Sequence, residues 1–237
     1  MKIKERHIFA GVIGFTLLSL ALAMLIPAGD SEHVGQHLPW QITLDEDGHT
    51  RVFGVTLGKS PLSELEQLIR EPVVISLFAR DSGERVVEAF FDNVALGGLR
   101  AKMVVVMEFD AATLEGLYQR GVRIATLGSG TRKVTLSSED MALVRAAPIA
   151  SITYLPRSRL SEELVEQRFG KAAEQLTEGE DGTQHWLYPE QGLGIALPAK
   201  GGNVFQYVLP ERFEALRQPL LALDEAGGPS RNPTLSR

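Results

Sequence analysis

The chain has 237 residues, 44% hydrophobic and 23% charged, values that supply a packed core and place it among ordinary globular proteins. Its net charge is −6, and Lys2, Lys4 and Arg6 sit at the N-terminus, so the rest is more acidic still and repels the phosphates of nucleic acid. It has no cysteine, which excludes disulfides, thiolate metal sites, cysteine nucleophiles and a lipidated-cysteine anchor.

Residues 1–7 read as a short basic cytoplasmic tail. Residues 8–26 carry no charge and, as a helix rising about 1.5 Å per residue, cross roughly 28 Å of hydrocarbon. The basic residues before this run and Asp30 and Glu32 after it orient the N-terminus to the cytoplasm. A cleaved signal peptide is the competing reading. The length of the run, and Ile26 at a position where cleavage wants a small residue, favour a retained anchor. Both readings export residues 27–237. The expected location is therefore the inner membrane, single-pass, with the C-terminal domain in a bacterial periplasm.

Residues 27–39 read as a linker. Strands are expected at 40–44 and 49–56 across Asp45-Glu46-Asp47-Gly48, then a helix opened by Ser60 as cap and Pro61 as first residue, with Leu62, Leu65, Leu68 and Ile69 on one face. A hairpin over 73–78 and 84–91 follows, then a strand over 101–109. In that strand Met103-Val104-Val105-Val106-Met107 is too apolar for two wet faces. Next come a helix over 111–120, short strands at 122–127 and 132–136, a helix over 138–146 and a strand over 149–155. A further helix runs from 158 to Phe169, capped by Gly170. Strands at 173–177, 183–188, 193–197 and 204–209 and a short helix over 211–217 complete the pattern. Residues 219–237 read as a disordered tail.

The expected fold class is α+β, helices packed on antiparallel sheet, after one N-terminal transmembrane helix. A first unit covers 40–156 and a second 157–218. Ser158-Arg159-Leu160-Ser161-Glu162 echoes Ser60-Pro61-Leu62-Ser63-Glu64. A structural repeat and a chance recurrence of capping chemistry both account for that echo.

In the second unit Leu164, Phe169-Gly170, Trp186-Leu187-Tyr188-Pro189, Gly192-Leu193-Gly194-Ile195 and Val204-Phe205-Gln206-Tyr207-Val208 follow one another in order. Residues 158–210 thereby resemble the outer-membrane assembly lipoproteins of the SmpA/OmlA type, which have a β-lactamase-inhibitor-protein-like fold. The resemblance implies an envelope location and protein binding without catalysis. Ala172 stands where that family has proline, and the lipidated cysteine is missing.

Several motifs tempt and fail. Gly54-Val55-Thr56-Leu57-Gly58-Lys59-Ser60 ends like a phosphate loop but has three residues between its glycines where four are needed. Asp45-Glu46-Asp47-Gly48 starts like a calcium loop, yet Thr56 stands where the bidentate acid belongs. His33 and His37 have helical metal-site spacing in a segment with little to fold on. His49 is isolated, and His185 is expected to face solvent, opposite Trp186. Gly128-Ser129-Gly130 is not a nucleophile elbow, and Arg132 stands where a Ser-x-x-Lys pattern needs lysine. The pairs Glu64/Glu66 and Glu162/Glu163 read as helix surface.

No cofactor and no metal ligand is expected. Trp186, Tyr188, Phe205 and Tyr207 alternate in two strands, which suits either a core or an aromatic interaction surface. The expected function is a membrane-anchored periplasmic domain that binds an envelope protein or assists envelope assembly, without catalysis. The alternative is a periplasmic domain that senses or binds a small molecule; a hydrolase comes third. An exposed apolar groove or sheet edge favours the first, and an apolar pocket with convergent polar groups the second.

Overall fold

The strand over Leu99–Met107 buries Ala101, Met103, Val105 and Met107 on one side and leaves Lys102, Val104 and Val106 on the other. That period of two governs the sheet to which it belongs. The computed structural model describes residues 37–128, 130–178 and 182–227. They form a mixed α+β fold with five helices and a large antiparallel sheet.

Three short strands come first: β1 (Thr43–Leu44), β2 (Thr50–Val52) and β3 (Val55–Thr56), paired in that order as a small sheet of their own. Helix α1 (Leu62–Ile69) leads into the meander β4 (Val73–Ala79), β5 (Arg85–Leu96) and β6 (Leu99–Met107). Then come α2 (Ala111–Gln119), the hairpin β7 (Arg123–Thr126) and β8 (Arg132–Thr135), α3 (Ser138–Ala146) and β9 (Ile149–Pro156). Helix α4 (Glu162–Phe169) leads into a second meander: β10 (Glu174–Glu178), β11 (Thr183–Tyr188), β12 (Leu193–Leu197) and β13 (Val204–Tyr207). Helix α5 (Phe213–Gly227) follows. The ten long-sheet strands lie in the order β10-β11-β12-β13-β9-β6-β5-β4-β8-β7. Residues 40–156 and 157–218 therefore share one continuous sheet, joined where β9 pairs with β13 through Phe205↔Tyr154 and Tyr207↔Ile152.

One face of that sheet carries the core. Leu62 and Leu65 of α1, Leu117 of α2, Val144 of α3, and Val165 and Phe169 of α4 pack with Leu77, Val87, Phe91, Met103, Tyr154 and Phe205 of the strands in a single apolar cluster. Phe53, from the turn between β2 and β3, stacks on Tyr154 at 5.1 Å and meets Tyr207 edge-on at 5.2 Å, so the small sheet closes over the same core. Helix α5 lies on the other face, where Phe213, Leu216 and Leu220 cover Leu176 and Leu187.

Several expectations need correction. Only Thr43–Leu44 of 40–44 is strand, and 49–56 breaks at Phe53-Gly54, whose φ values of 53° and 85° make a tight reversal. Ser60 does not cap α1. Pro61 holds the cap position without a side-chain bond, and Ser60 Oγ instead accepts from the Thr56 N–H at 3.1 Å. Leu68 is 36% exposed, at the rim of the helix's buried face. In the echoing segment Ser161, not Ser158, caps α4, accepting from Leu164 N–H. The two five-residue matches thus enter their helices two residues out of step. Residues 219–227, assigned above to a disordered tail, continue α5, although Pro219 forgoes a helix hydrogen bond. Burial of Leu216 and Leu220 against β10 and β11 outweighs that loss. The expected transmembrane run 8–26, the linker through residue 36 and residues 228–237 lie outside the described residues. Among the described residues no helix is long and apolar enough to cross a membrane.

Trp186 is 5% exposed on the core face of β11. Trp186→Ala is expected to lower unfolding free energy by roughly 3–5 kcal/mol, measured by chemical denaturation, as truncation of a buried large aromatic does.

Candidate functional site: the uncovered face of the sheet

The aromatic residues singled out above do not form an exposed surface. Phe205 and Tyr207 are 0% exposed, Trp186 and Tyr188 5%. The Tyr207 hydroxyl donates to Pro39 O at 2.9 Å and the Tyr188 hydroxyl to Gly170 O at 3.0 Å. Phe205 packs edge-on to Phe169 and stacks with Tyr154.

The two nucleotide- and calcium-like motifs satisfy each other. Lys59 Nζ lies 2.5 Å from carboxylate oxygens of both Asp45 and Asp47. The Lys59 hydrogen bond, helped by the His49 amide, pulls the Asp45 pKa down to about 2. The lysine that would meet a phosphate is thus held by the carboxylates that would meet calcium. His37 lies beside Gly54, His33 and Ser129 fall outside the described residues, and no metal-holding group of histidines and acids occurs among the described residues. His185 is on the face opposite Trp186 as expected, but it is part-buried, 3.0 Å from Glu178. Glu66 pairs with Arg145 at 3.1 Å, and Glu163 is held low chiefly by a hydrogen bond with Ser161.

What the strands do present is the rear face of β4, β5 and β6. Registers Val74↔Phe90↔Val104 and Ser76↔Glu88↔Val106 put these side chains in two adjacent rows, with Phe78 and Val86 paired beside them. Val74 is 53% exposed and the other apolar members are partly exposed. Val74, Ser76, Phe78, Glu88, Phe90 and Val104 line a shallow groove of about 260 Å³ bordered by Lys133, and Val86 and Val106 continue the same face beside it. Lys133 and Lys102 place their ammonium groups 5.9 Å from the Phe78 and Phe90 rings.

Glu88 is the anomaly in this groove. It makes no hydrogen bond or ion pair among the described residues, and burial raises its pKa, an effect that Arg80 offsets only in part. A carboxylate in apolar surroundings without a partner is a cost that structures rarely retain idly. The sequence signal for this face was the run of valines at 104–106. Which of its two sides a helix would cover depended on tertiary packing.

A second cavity, of about 310 Å³, opens on the core side between Leu99, Pro156, Leu160 and Phe205. Tyr154 forms part of its wall; its hydroxyl is buried without a partner among the described residues, and burial pushes its pKa up to about 12. Arg100 and Arg157 border the cavity and are joined by an Arg157 N–H bond to Arg100 O. Strand alternation turns the Arg100 side chain toward the other face.

Compared with known proteins, the chain matches no protein-family model, no curated protein and no solved structure.

Glu88 generates a pH-dependent expectation. With its folded pKa raised, its contribution to stability is present below the ordinary glutamate range and is lost as pH rises through the folded value. Glu88→Gln removes that loss. The variant should melt above the wild type at neutral pH, and the gap should close below about pH 3, where the wild-type carboxyl is protonated in both states. Thermal unfolding followed across that range checks it.

Proposed function

We propose that this chain is a membrane-anchored periplasmic domain that binds another envelope protein, through the rear face of β4–β6, and catalyses nothing. The observation that carries the reading is the pairing of an open apolar sheet face with an unpaired half-buried carboxylate. Solvent gains nothing from either, whereas a docked partner buries the apolar groups and supplies a cation to Glu88. The uncharged run 8–26 with its flanking charges supports the tether, which raises the domain's effective concentration for partners at the membrane. The residues of 158–210 that resemble envelope-assembly lipoproteins support a role beside such machinery. The serines and acids with catalytic potential have structural uses: Ser137, Ser161 and Asp110 cap helices, and Glu66 and Asp140 pair with arginines.

The test uses the full chain in cells, with a photo-crosslinking residue at Val74, Phe90 or Val106 and, as control, at exposed Lys171. Crosslinks to a protein at the three rear-face positions and none at Lys171 are the expected result, and Glu88→Lys should abolish them. Equal labelling at all four positions would overturn the reading.

The cavity beside Tyr154 favours a second reading, a small ligand with a hydrogen-bond acceptor for that hydroxyl. Its own expectation is that native mass spectrometry of protein purified without detergent exchange shows a bound small molecule, and that Tyr154→Phe loses it. A mass equal to the bare chain in both proteins would remove this reading.

A further inference from the structure

The rear face of the sheet is half covered, and the covered half shows what the open half lacks. Over β10–β12, α5 lays Phe213, Leu216 and Leu220 against Leu176 and Leu187. Gly194 makes room for it, since a Cβ there would lie 2.9 Å from Leu216 Cδ2. Registers Glu174↔Leu187↔Gly194 put a carboxylate in the same row as these apolar groups, and Arg217 of α5 grips it, with Nε 2.6 Å and Nη2 3.0 Å from its two oxygens. An apolar sheet row with one carboxylate is thus closed by an amphipathic helix with one arginine.

Over β4–β6 the same row exists without a cover among the described residues. Ser76↔Glu88↔Val106 supplies the carboxylate and Val74↔Phe90↔Val104 the adjoining apolar floor. Pairing Gln206↔Thr153 and Val104↔Thr153 across the central strands sets both halves on the same face of the sheet. We infer that the open half receives an amphipathic helix from a partner protein, with apolar residues at spacings of three and four and one arginine or lysine seated on Glu88.

This rests on the protein-binding reading above and adds the partner's chemistry. A helix is favoured over an added strand because the contact is made by a sheet face, where side chains meet side chains; strand addition uses an edge. A cation is favoured because Glu88 is unpaired, and bidentate or charge-assisted bonds in partly dry surroundings are the strong ones. Lys133 and Lys102 flank the groove over Phe78 and Phe90. They disfavour a second cation at its borders and suit a helix whose remaining charges are acidic, as Glu214 and Asp224 are on α5. Lys102 is already partnered by Asp92, so Lys133 is the border charge that such an acid would meet.

The probe is a synthetic helix with the sequence of residues 213–227 carrying Pro219→Ala, so that its helix is unbroken. Binding is read by fluorescence anisotropy on the full chain in lipid nanodiscs, with empty nanodiscs subtracted. The peptide should bind the wild type and bind Glu88→Gln about tenfold more weakly, the loss expected of one charged partner. A peptide with Glu at the place of Arg217 should fail on the wild type and bind Glu88→Arg. That rescue cannot come from altered folding. Binding that ignores both charge changes would mean the peptide only displaces α5 from its own seat, and would overturn the inference. So would absence of binding by either peptide. In that case, continued crosslinking at Val74, Phe90 and Val106 would keep the protein-binding reading, and loss of crosslinking as well would end both.

Discussion

The antiparallel pairing of β9 with β13 is the contact on which the rest of the molecule depends. It sets Phe205 beside Tyr154 and Tyr207 beside Ile152 and so fuses two meanders into one sheet. The ring of Tyr154 is then floor for Phe53, which stacks on it, and neighbour to Phe205, which meets Phe169 of α4 at 5.3 Å. Large rings in offset or edge contact add about 0.5–1.5 kcal/mol per pair beyond the area they bury. The small sheet is tied to the same junction by Thr50, whose hydroxyl lies 3.0 Å from both Gln191 O and Val208 O. That approach demands a glycine at 192. Its φ is +64°, and a Cβ there would sit 2.0 Å from Val208 O, where backbone cannot yield.

Around that junction several buried polar groups are paired. Asn203, 1% exposed, accepts from Leu160 N–H at 2.7 Å and donates back to Leu160 O, which fastens the entry of α4 to the start of β13. Asp140 is held low chiefly by Arg120, and Ser137 donates to its second oxygen. Arg85 leaves Nε unpaired, yet the same guanidinium reaches Glu115 and Gly83 O. The Tyr154 hydroxyl, like His49 Nδ1, is buried without a partner among the described residues, and the part-buried Glu88 carboxylate has no ion pair among them; the hydroxyl and the carboxylate each border a hollow. A buried unpaired polar group costs about 1–3 kcal/mol, a cost that a bound hydrogen-bond acceptor would lift from the Tyr154 hydroxyl.

The sheet's two halves differ in what covers their rear. The helix that follows β13 folds back over β10–β12, whereas the segment after β6 leaves as α2 on the core side and contributes to the same cluster as Leu62 and Val144. Among the described residues no helix is then left in that half to close the rear of β4–β6. The asymmetry follows from connectivity, since two similar meanders are followed by helices sent to opposite faces.

Alternation and capping carried much of this architecture in the sequence itself. Strands at 183–188 and 193–197 and the helix 138–146 fall where period and caps put them, because side-chain direction in a strand and hydrogen bonding at a helix end are local properties. The glycine spacing at 54–58 sufficed to argue against a phosphate loop, a matter of backbone geometry over a few residues. Three things were not local. Ser60 has the chemistry of a cap, but Thr56 N–H competes for it once β3 turns back. The helix beyond Arg217 exists because Leu216 and Leu220 find Leu176 and Leu187, some forty residues away. Whether Val104 and Glu88 face a helix or solvent is decided by where the chain goes after β6, and long-range connection leaves no periodic mark. The residues determined which side chains share a face; only the tertiary structure decided which faces were left open, because coverage is a property of distant segments meeting.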